Sequence, residues 1–252
     1  MTPKALRNDL KEEFKDQDIF SRQELFNFFR KYSPELKETT FRWRIHDLKQ
    51  KQIIRSVSKD SFSLFYQPAF TPSIDSKTQA TFKEAKKEFP EAKISVWNTK
   101  WLNELMLHQP NKYMTILETE SDAAHPVFNH FKDTGYKNVF LEPGKKEIEN
   151  YVSDAPNPTI ISNLITKAPT VLLDTNVIIA SLEKILVDIF SDPILFNAFQ
   201  GNELAVIFEN AFKKYEVNTT KLYSYASRRG KKEELIEFIV SNTGFPFKSL
   251  YD

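Results

Sequence analysis

The residues best suited to chemistry lie within one short stretch of the sequence: Thr39, Thr40, Arg42, Trp43 and His46. Arg and His side chains donate hydrogen bonds to phosphates and base edges, and an exposed Trp can read a base edge or pack on deoxyribose. Phe41, Ile45 and Leu48 in the same stretch fall within ~60° of one another on a helical wheel. They predict the buried face of a helix whose opposite face carries the polar set and Trp43. The alternative is that Trp43 packs against a neighbouring domain.

Positive charge is concentrated around this predicted helix. Residues 1–60 contain 14 Lys and Arg against 10 Asp and Glu, a net charge of +4, whereas the whole chain has a net charge of +1. A surface that binds DNA phosphates needs such an excess, because each bound cation releases condensed counterions. We therefore predict that Lys37, Lys49 and Lys59 lie near phosphates. A basic face that is merely solvated is the alternative.

The elements that position these side chains can be predicted from local signals. Ser21 to Glu24 form a capping box before the spaced apolar residues of one helix, and Ser33-Pro34 ends that helix. The helix of Trp43 follows, and two strand-like runs then flank Ser58 to Asp60. Helices followed by a hairpin are the order of a winged helix-turn-helix, which we assign to residues 1–66.

The rest of the chain predicts an α/β multi-domain fold. Residues 67–76 contain two prolines and little pattern, which is typical of a linker. Short apolar runs alternate with helical patterns over residues 77–181, which favours an α/β layer of strands covered by helices. Residues 182–244 predict a helical C-terminal part packed on that layer, and the last dozen residues, with Pro246, predict a loose tail.

The composition excludes several classes of chemistry. The chain contains no Cys, which excludes disulfides, Cys-ligated metals and Cys nucleophiles. Its five glycines are too far apart for a dinucleotide-binding, P-loop or hydrolase-elbow motif, and its four histidines form no HExxH. No apolar run is long enough for a membrane span, and no signal peptide is apparent. We expect a cytoplasmic protein without enzymatic activity, metal or cofactor.

One segment raises a metal-dependent alternative. Val171 to Ile179 resembles the opening strand of PIN-domain ribonucleases, in which Asp174 would hold a divalent metal ion. Such a domain needs further carboxylates on later strands, and the residues after Asp174 predict helices. The favoured interpretation is a β-hairpin of residues 170–173 and 177–180, turned by Asp174-Thr175-Asn176.

A second group of cations lies near the C-terminus, where Arg228, Arg229, Lys231 and Lys232 follow a predicted helix. Positive charge at the end of a helix is favoured by the helix dipole, so the group needs no ligand. We nevertheless predict that it provides a second DNA contact, because one winged helix covers only a short site.

Much of the chain resembles AbiEi-like antitoxins of type IV toxin–antitoxin systems. The resemblance is carried by Leu182 to Phe190, Phe196 to Gln200, Glu203 to Tyr215 and Tyr223 to Arg229, with Thr40 to Ile45 similar to the N-terminal winged helix of those proteins. It implies a transcriptional regulator that binds its own promoter as double-stranded DNA and counters a nucleotidyltransferase toxin. A protein-interaction module without enzymatic activity remains a third class.

Overall fold

The computed structural model describes residues 3–51, 53–64 and 67–244. The N-terminal elements are α1 (Pro3–Glu13), β1 (Phe20–Ser21), α2 (Arg22–Tyr32), α3 (Glu38–Gln50), β2 (Arg55–Ser56) and β3 (Ser61–Ser63). The capping-box helix, the helix of Trp43 and the two strand-like runs are therefore present, and α1 precedes them. Gln52 and Phe65, the expected ends of the Trp43 helix and of the second strand run, lie outside the described residues, as do Tyr66 and residues 245–252 of the predicted tail. Residues 241 and 242, the first two of that tail, belong instead to the last helix described.

The N-terminal elements form a small antiparallel sheet packed on three helices. Its strand order is β1-β3-β2, with Phe20 opposite Phe62. The predicted capping box is confirmed, because the Ser21 side chain accepts from the Glu24 N–H and the Glu24 carboxylate accepts from the Ser21 N–H. Phe20, which directly precedes this box, lies in β1 and is buried. One cluster of buried apolar side chains, which includes Leu10, Phe28 and Phe41, fills this region.

The remaining elements form a second, larger unit of sheet and helices. They are α4 (Ser76–Glu88), β4 (Ile94–Asn98), a 3-10 helix (Thr99–Leu105), β5 (Thr115–Thr119), α5 (Ser121–Asp133), β6 (Val139–Leu141), α6 (Lys145–Glu147) with a π-helical turn (Ile148–Val152), β7 (Thr159–Asn163), β8 (Thr170–Leu172), β9 (Ile178–Ala180), α7 (Leu182–Ser191), a second 3-10 helix (Asn197–Phe199), α8 (Asn202–Lys214), α9 (Thr219–Arg228) and α10 (Lys232–Asn242). The coarse prediction of a mixed α/β chain is confirmed, with two sheets.

The larger sheet is mixed in direction. Its strand order is β6-β7-β5-β4-β9-β8, and β5, β6 and β7 run parallel. The carboxyl ends of these three strands therefore meet at one edge, where Glu118, Glu142 and Asn163 are found. Helices α7, α8 and α9 pack together on the C-terminal side of the chain, and α7 is buried along almost its whole length.

Two helix starts differ from what the local pattern predicts, which is a helix from Pro126 to Phe131 and a helix capped by Asp192 with Pro193 at its first position. The helix expected to begin at Pro126 begins at Ser121, and Pro126 lies inside it. Ala124, Val127 and Phe131 are buried along one stripe, so packing of the extra turn offsets the backbone hydrogen bond that Pro126 cannot donate. Asp192 was expected to cap a helix. Its carboxylate accepts from the Leu195 N–H and closes only a turn, because the chain continues into the second 3-10 helix.

The predicted linker is packed rather than free. The Gln67 amide donates to the backbone oxygens of Phe212 and Lys213 at 2.7 and 2.6 Å. The Pro68 oxygen accepts from the Glu216 N–H at 3.0 Å, and Phe70 is buried. This segment, which has no helix or strand over residues 67–75, is therefore held against the end of α8.

None of the helices in the described part of the chain is long and apolar enough to cross a membrane.

Candidate functional site

Helix α3 has the buried and exposed faces that the sequence predicts. Phe41, Ile45 and Leu48 are its buried residues. On the other side the Trp43 side chain is 71% exposed, and its ring centroid lies 6.4 Å from that of His46. Thr39, Thr40, Arg42 and His46 are exposed as well. The structure thus brings these predicted site residues onto one solvent-facing surface, which we call the α3 surface.

Arginine side chains connect α2 to α3, the helix that carries this surface. Glu38, at the start of α3, pairs with Arg22 of α2 and with Arg42, whose Nε lies 3.5 Å from the Glu38 carboxylate. Arg22 also lies over the Phe41 ring at 5.0 Å. Arg44 is placed over the Phe29 ring at 5.0 Å. Arg22 and Arg44 therefore hold α2 and α3 together, whereas Arg42 is 74% exposed and can turn toward a ligand.

The three lysines predicted near phosphates do not share one environment. Lys37 precedes α3 and is exposed, and Lys59 is exposed in the turn between β2 and β3. The Lys49 ammonium instead lies 5.3 Å from the centre of the Phe62 ring. Burial lowers the pKa of Lys49, and the Glu216 carboxylate opposes this shift. Lys49 therefore contributes to packing as well as to surface charge.

The C-terminal basic residues do not form a single surface. Arg228 and Lys232 line an open groove of about 610 Å³ together with the hydroxyl side chains of α9. Arg229 turns away from that groove, and its Nε lies 3.9 Å from the Asp188 carboxylate. Lys231 is paired with Glu234 at 2.8 Å. Of the four predicted contacts, two face this groove, and the other two have carboxylate partners.

The segment that raised the nuclease alternative forms a hairpin. Strands β8 and β9 pair antiparallel, with Leu172 opposite Ile178. The Leu173 N–H donates to the Val177 oxygen at 3.0 Å, and Asn176 has a positive φ of 59°. Asp174 lies exposed in this turn, as the hairpin interpretation predicts. In the described ranges, no three or more His, Asp or Glu side chains are grouped so that they could hold a metal ion.

A buried charge cluster, which the sequence analysis missed, joins the sheet to α7 and α9. The fully buried Lys184 donates to Glu118 at 2.6 Å and also to Asp188 one turn away on α7. Asp188 accepts in turn from the Tyr225 hydroxyl at 2.8 Å, and Glu118 accepts from the Ser95 hydroxyl at 3.3 Å. We call Glu118, Lys184, Asp188 and Tyr225 the buried charge cluster.

A signal for this cluster exists in the sequence. Residues 182–190 are apolar on all sides apart from Glu183, Lys184 and Asp188. A helix that is apolar all round is a buried helix, so its charged residues must find buried partners. The spacing of Lys184 and Asp188 at i, i+4 indicates that they pair with each other. The second carboxylate, Glu118, is 66 residues away in sequence and has no local signal.

The cluster keeps Lys184 protonated. Burial opposes the charged form, but attraction by Asp188 and Glu118 outweighs burial and raises the pKa of Lys184 above its usual value. A nucleophilic or Schiff-base lysine needs the opposite shift. Burial also raises the pKa of the Glu118 carboxyl and of the Tyr225 hydroxyl. The cluster therefore holds a protonated lysine between two buried carboxyl groups.

A cavity of about 320 Å³ opens beside the buried charge cluster, at the carboxyl ends of the parallel strands. Glu118 and Asp188 form part of its wall, and Glu142, Asp192 and Arg229 line it as well. Its apolar wall includes Trp97, which is fully buried, and whose ring lies 5.4 Å from that of Phe196. This arrangement, which we call the strand-end cavity, combines an apolar wall with convergent charges, as ligand sites do.

The comparisons with known proteins give a family without an assigned activity. No curated protein is significantly similar to this sequence. A family model described as "Family of unknown function (DUF6577)" matches residues 40–244, a range that includes most of α3 and every residue of the strand-end cavity. The chain therefore belongs to the DUF6577 family of unknown function.

Proposed function

We propose that this protein is a transcriptional regulator that binds double-stranded DNA through the α3 surface. The observation that carries the proposal is the 71% exposed Trp43 beside Arg42 and His46 on a helix whose other face is core. Exposing a large aromatic ring to water is unfavourable, and a base edge or a deoxyribose would cover it. The proposal assigns no catalytic step to the chain.

The order and pairing of the N-terminal elements support a winged helix-turn-helix as the DNA-binding module. In such modules the second helix of the turn enters the major groove, and its N-terminal residues contact base edges. Helix α3 would be that helix, with Thr39, Thr40 and Arg42 in its first turns. The turn between β2 and β3 carries the exposed Lys59 and would be the wing that reaches a neighbouring phosphate.

The groove of Arg228 and Lys232 is suited to a further backbone contact. Thr220, Ser224 and Ser227 line it with their hydroxyl groups. Hydroxyl and cationic side chains are the usual partners of phosphate oxygens. The N-terminus of α9 is tied to the β2–β3 turn, because the Thr219 hydroxyl donates to the Val57 oxygen at 2.5 Å. We propose that the two basic surfaces act on one duplex.

The resemblance to AbiEi-like antitoxins supplies the cellular role that we propose. The regulator would bind its own promoter and counter a nucleotidyltransferase toxin. Co-expression of this chain with the product of its neighbouring gene tests this role directly. Rescue of growth without a stable complex supports it, and absence of any effect on growth would leave only the DNA-binding regulator.

DNA binding is tested with the full chain and a duplex that contains the upstream region of its own gene. Arg42→Ala should weaken binding by about 1–3 kcal/mol, or roughly 5- to 150-fold, if Arg42 reads a base. Lys59→Ala should weaken all sequences alike and reduce the slope of log K against log salt by about 1. Lys213→Ala, on the exposed side of α8, is the matched control and should change neither quantity.

Two results would contradict the proposal. One is that binding of the duplex does not depend on salt concentration. The other is that binding is unchanged in both Arg42→Ala and Trp43→Ala. Either result would show that the α3 surface does not contact the DNA. Trp43→Ala is informative because an exposed side chain contributes little to folding. Loss of binding in this variant therefore reports on the surface.

A further inference from the structure

We infer that the strand-end cavity binds a small organic cation, an amine or a guanidinium compound. The inference does not rest on DNA binding, because the cavity lies in the larger unit and uses none of the residues of the α3 surface. Its size, about 320 Å³, is that of a small-molecule site.

The net negative charge of the cavity wall favours a positively charged ligand. Glu118, Glu142, Asp188 and Asp192 contribute four carboxyl groups, and the cations beside them are Arg229 in the wall and Lys184 behind it. Lys184 is engaged by Glu118 and Asp188, and Arg229 faces Asp188. Within the described part of the chain, Glu142 and Asp192 form no ion pair. An anionic ligand would meet an excess of like charge, whereas a cation would neutralise it.

Two unpartnered polar atoms point independently to a ligand. Among the described residues, the indole N–H of Trp97 has no hydrogen-bond partner, although Trp97 is fully buried and lines the cavity. The side-chain oxygen of Asn163 is also buried and has no partner within the described ranges, while its amide nitrogen donates to Glu142 at 2.5 Å. Buried polar groups normally have partners, and those left without one mark a place where a ligand or ordered water completes the structure.

These atoms also define the hydrogen-bonding character of the ligand. Asn163, Glu142 and Asp192 present acceptors, so the ligand must donate several hydrogen bonds, as an ammonium or guanidinium group does. The Trp97 N–H requires one acceptor atom on the ligand or on a water that it holds. The apolar wall formed by Ile116, Ile160 and Phe196 would cover an aliphatic stem.

The backbone at the cavity rim is held in an unusual conformation. Glu142 has a positive φ of 41°, which is uncommon for a residue with a side chain. Its N–H donates to the Ile161 oxygen at 2.9 Å, so the strand β7 fixes this conformation. The strained turn places the Glu142 carboxylate next to Asn163 at the cavity wall. Such strain is found where a side chain must be held in a particular position.

Calorimetric titration of the full chain with agmatine and with putrescine tests the inference. Agmatine supplies a guanidinium and an amine on an aliphatic stem, and putrescine supplies two amines. At least one should bind saturably with a 1:1 stoichiometry and raise the melting temperature. Succinate and 1,4-butanediol, which have the same reach without positive charge, should not bind.

Variants assign the binding to the cavity. Glu142→Gln and Asp192→Asn each remove one negative charge at nearly constant volume and should raise the dissociation constant of the cation about 10-fold. Glu209→Gln, the same change on the exposed side of α8, is the control and should leave it unchanged.

Any one of three results would overturn the inference. The first is that neither agmatine nor putrescine binds saturably up to about 10 mM. The second is that both bind, but with the same affinity to wild type and to the Glu142→Gln/Asp192→Asn double variant. The third is that succinate or 1,4-butanediol binds as tightly as the cations. Melting temperatures of the free variants close to that of wild type show that loss of binding is not loss of fold.

Discussion

Removal of Lys184 should be among the most destabilising single changes in this chain. Lys184→Met keeps an unbranched side chain of similar length but deletes the ammonium that pairs with Glu118 and Asp188. Both carboxylates are then buried without their cation. Breaking a buried ion pair from one side costs about 3–5 kcal/mol, because the remaining charge is not compensated.

The loss of folding free energy in Lys184→Met depends on the partners that each carboxylate keeps. Asp188 keeps the Tyr225 hydroxyl and the nearby Arg229, whereas Glu118 keeps only the Ser95 hydroxyl among the contacts described above. Glu118 is therefore the group that takes up a proton. Keeping a Glu with an unfolded pKa of about 4.3 protonated at pH 7 costs about 3.7 kcal/mol. At pH 5.5 the same step costs about 1.6 kcal/mol, so the loss of stability should shrink by about 2 kcal/mol.

Urea unfolding of the full chain, followed by tryptophan fluorescence at pH 7 and pH 5.5, measures this loss. The control is Lys213→Met on α8, which removes an i, i+4 ion pair with Glu209 from an exposed site and should cost under about 0.5 kcal/mol. A loss of less than about 1 kcal/mol in Lys184→Met would show that Glu118 and Asp188 do not depend on the buried ammonium. An equal loss at both pH values would refute the assignment of the proton to Glu118.

Three further changes have defined outcomes. Ser21→Ala removes the capping box of α2 and should cost about 1 kcal/mol in urea unfolding, whereas Ser224→Ala, at an exposed site inside α9, should not lower stability. Thr219→Val deletes the hydroxyl that donates to the Val57 oxygen and should cost about 0.5–1.5 kcal/mol, because among the described residues that oxygen keeps only the Thr219 N–H, 3.2 Å away. Burial raises the folded pKa of Tyr225, so stability is present below about pH 10 and lost as the pH rises further; Tyr225→Phe should make this alkaline loss less steep by up to about 1.4 kcal/mol per pH unit.

Three predictions from local signals agree with the structure, although the helix starts at Pro126 and Asp192 do not. The capping box at Ser21 and the apolar spacing of α3 involve residues within one or two helical turns of each other, so the sequence shows them directly. The hairpin around Asp174 was likewise predicted from its turn residues and its flanking apolar runs. Interactions between residues close in the sequence are sufficient to predict these elements.

The sequence predictions differ from the structure where contacts between residues distant in the sequence determine the conformation. Strand β1 contains two residues and forms because Phe20 meets Phe62 in β3, a pairing that no local pattern indicates. The four C-terminal cations were treated as one group, yet successive helical residues are about 100° apart. Arg228 therefore lies in the open groove while Arg229 is turned to Asp188. The sequence indicates the positive charge, but only the packing of α9 on α7 decides which side chains remain free.

The buried charge cluster is better explained by a binding role than by stability. Replacing a buried ion pair with apolar residues of similar volume is often neutral or stabilising, so Glu118, Lys184 and Asp188 are not the residues that a chain would need for a stable core. Their hydrogen bonds hold the two carboxylates in fixed positions, since each carboxylate is bonded to Lys184 and to a hydroxyl of Ser95 or Tyr225. Binding sites need side chains that are held in place by such supporting bonds. The cluster borders the strand-end cavity along the carboxyl ends of parallel strands, where open α/β sheets place their ligands. The cost of burying three charges is therefore consistent with a wall that must keep a fixed charge pattern facing a small cation.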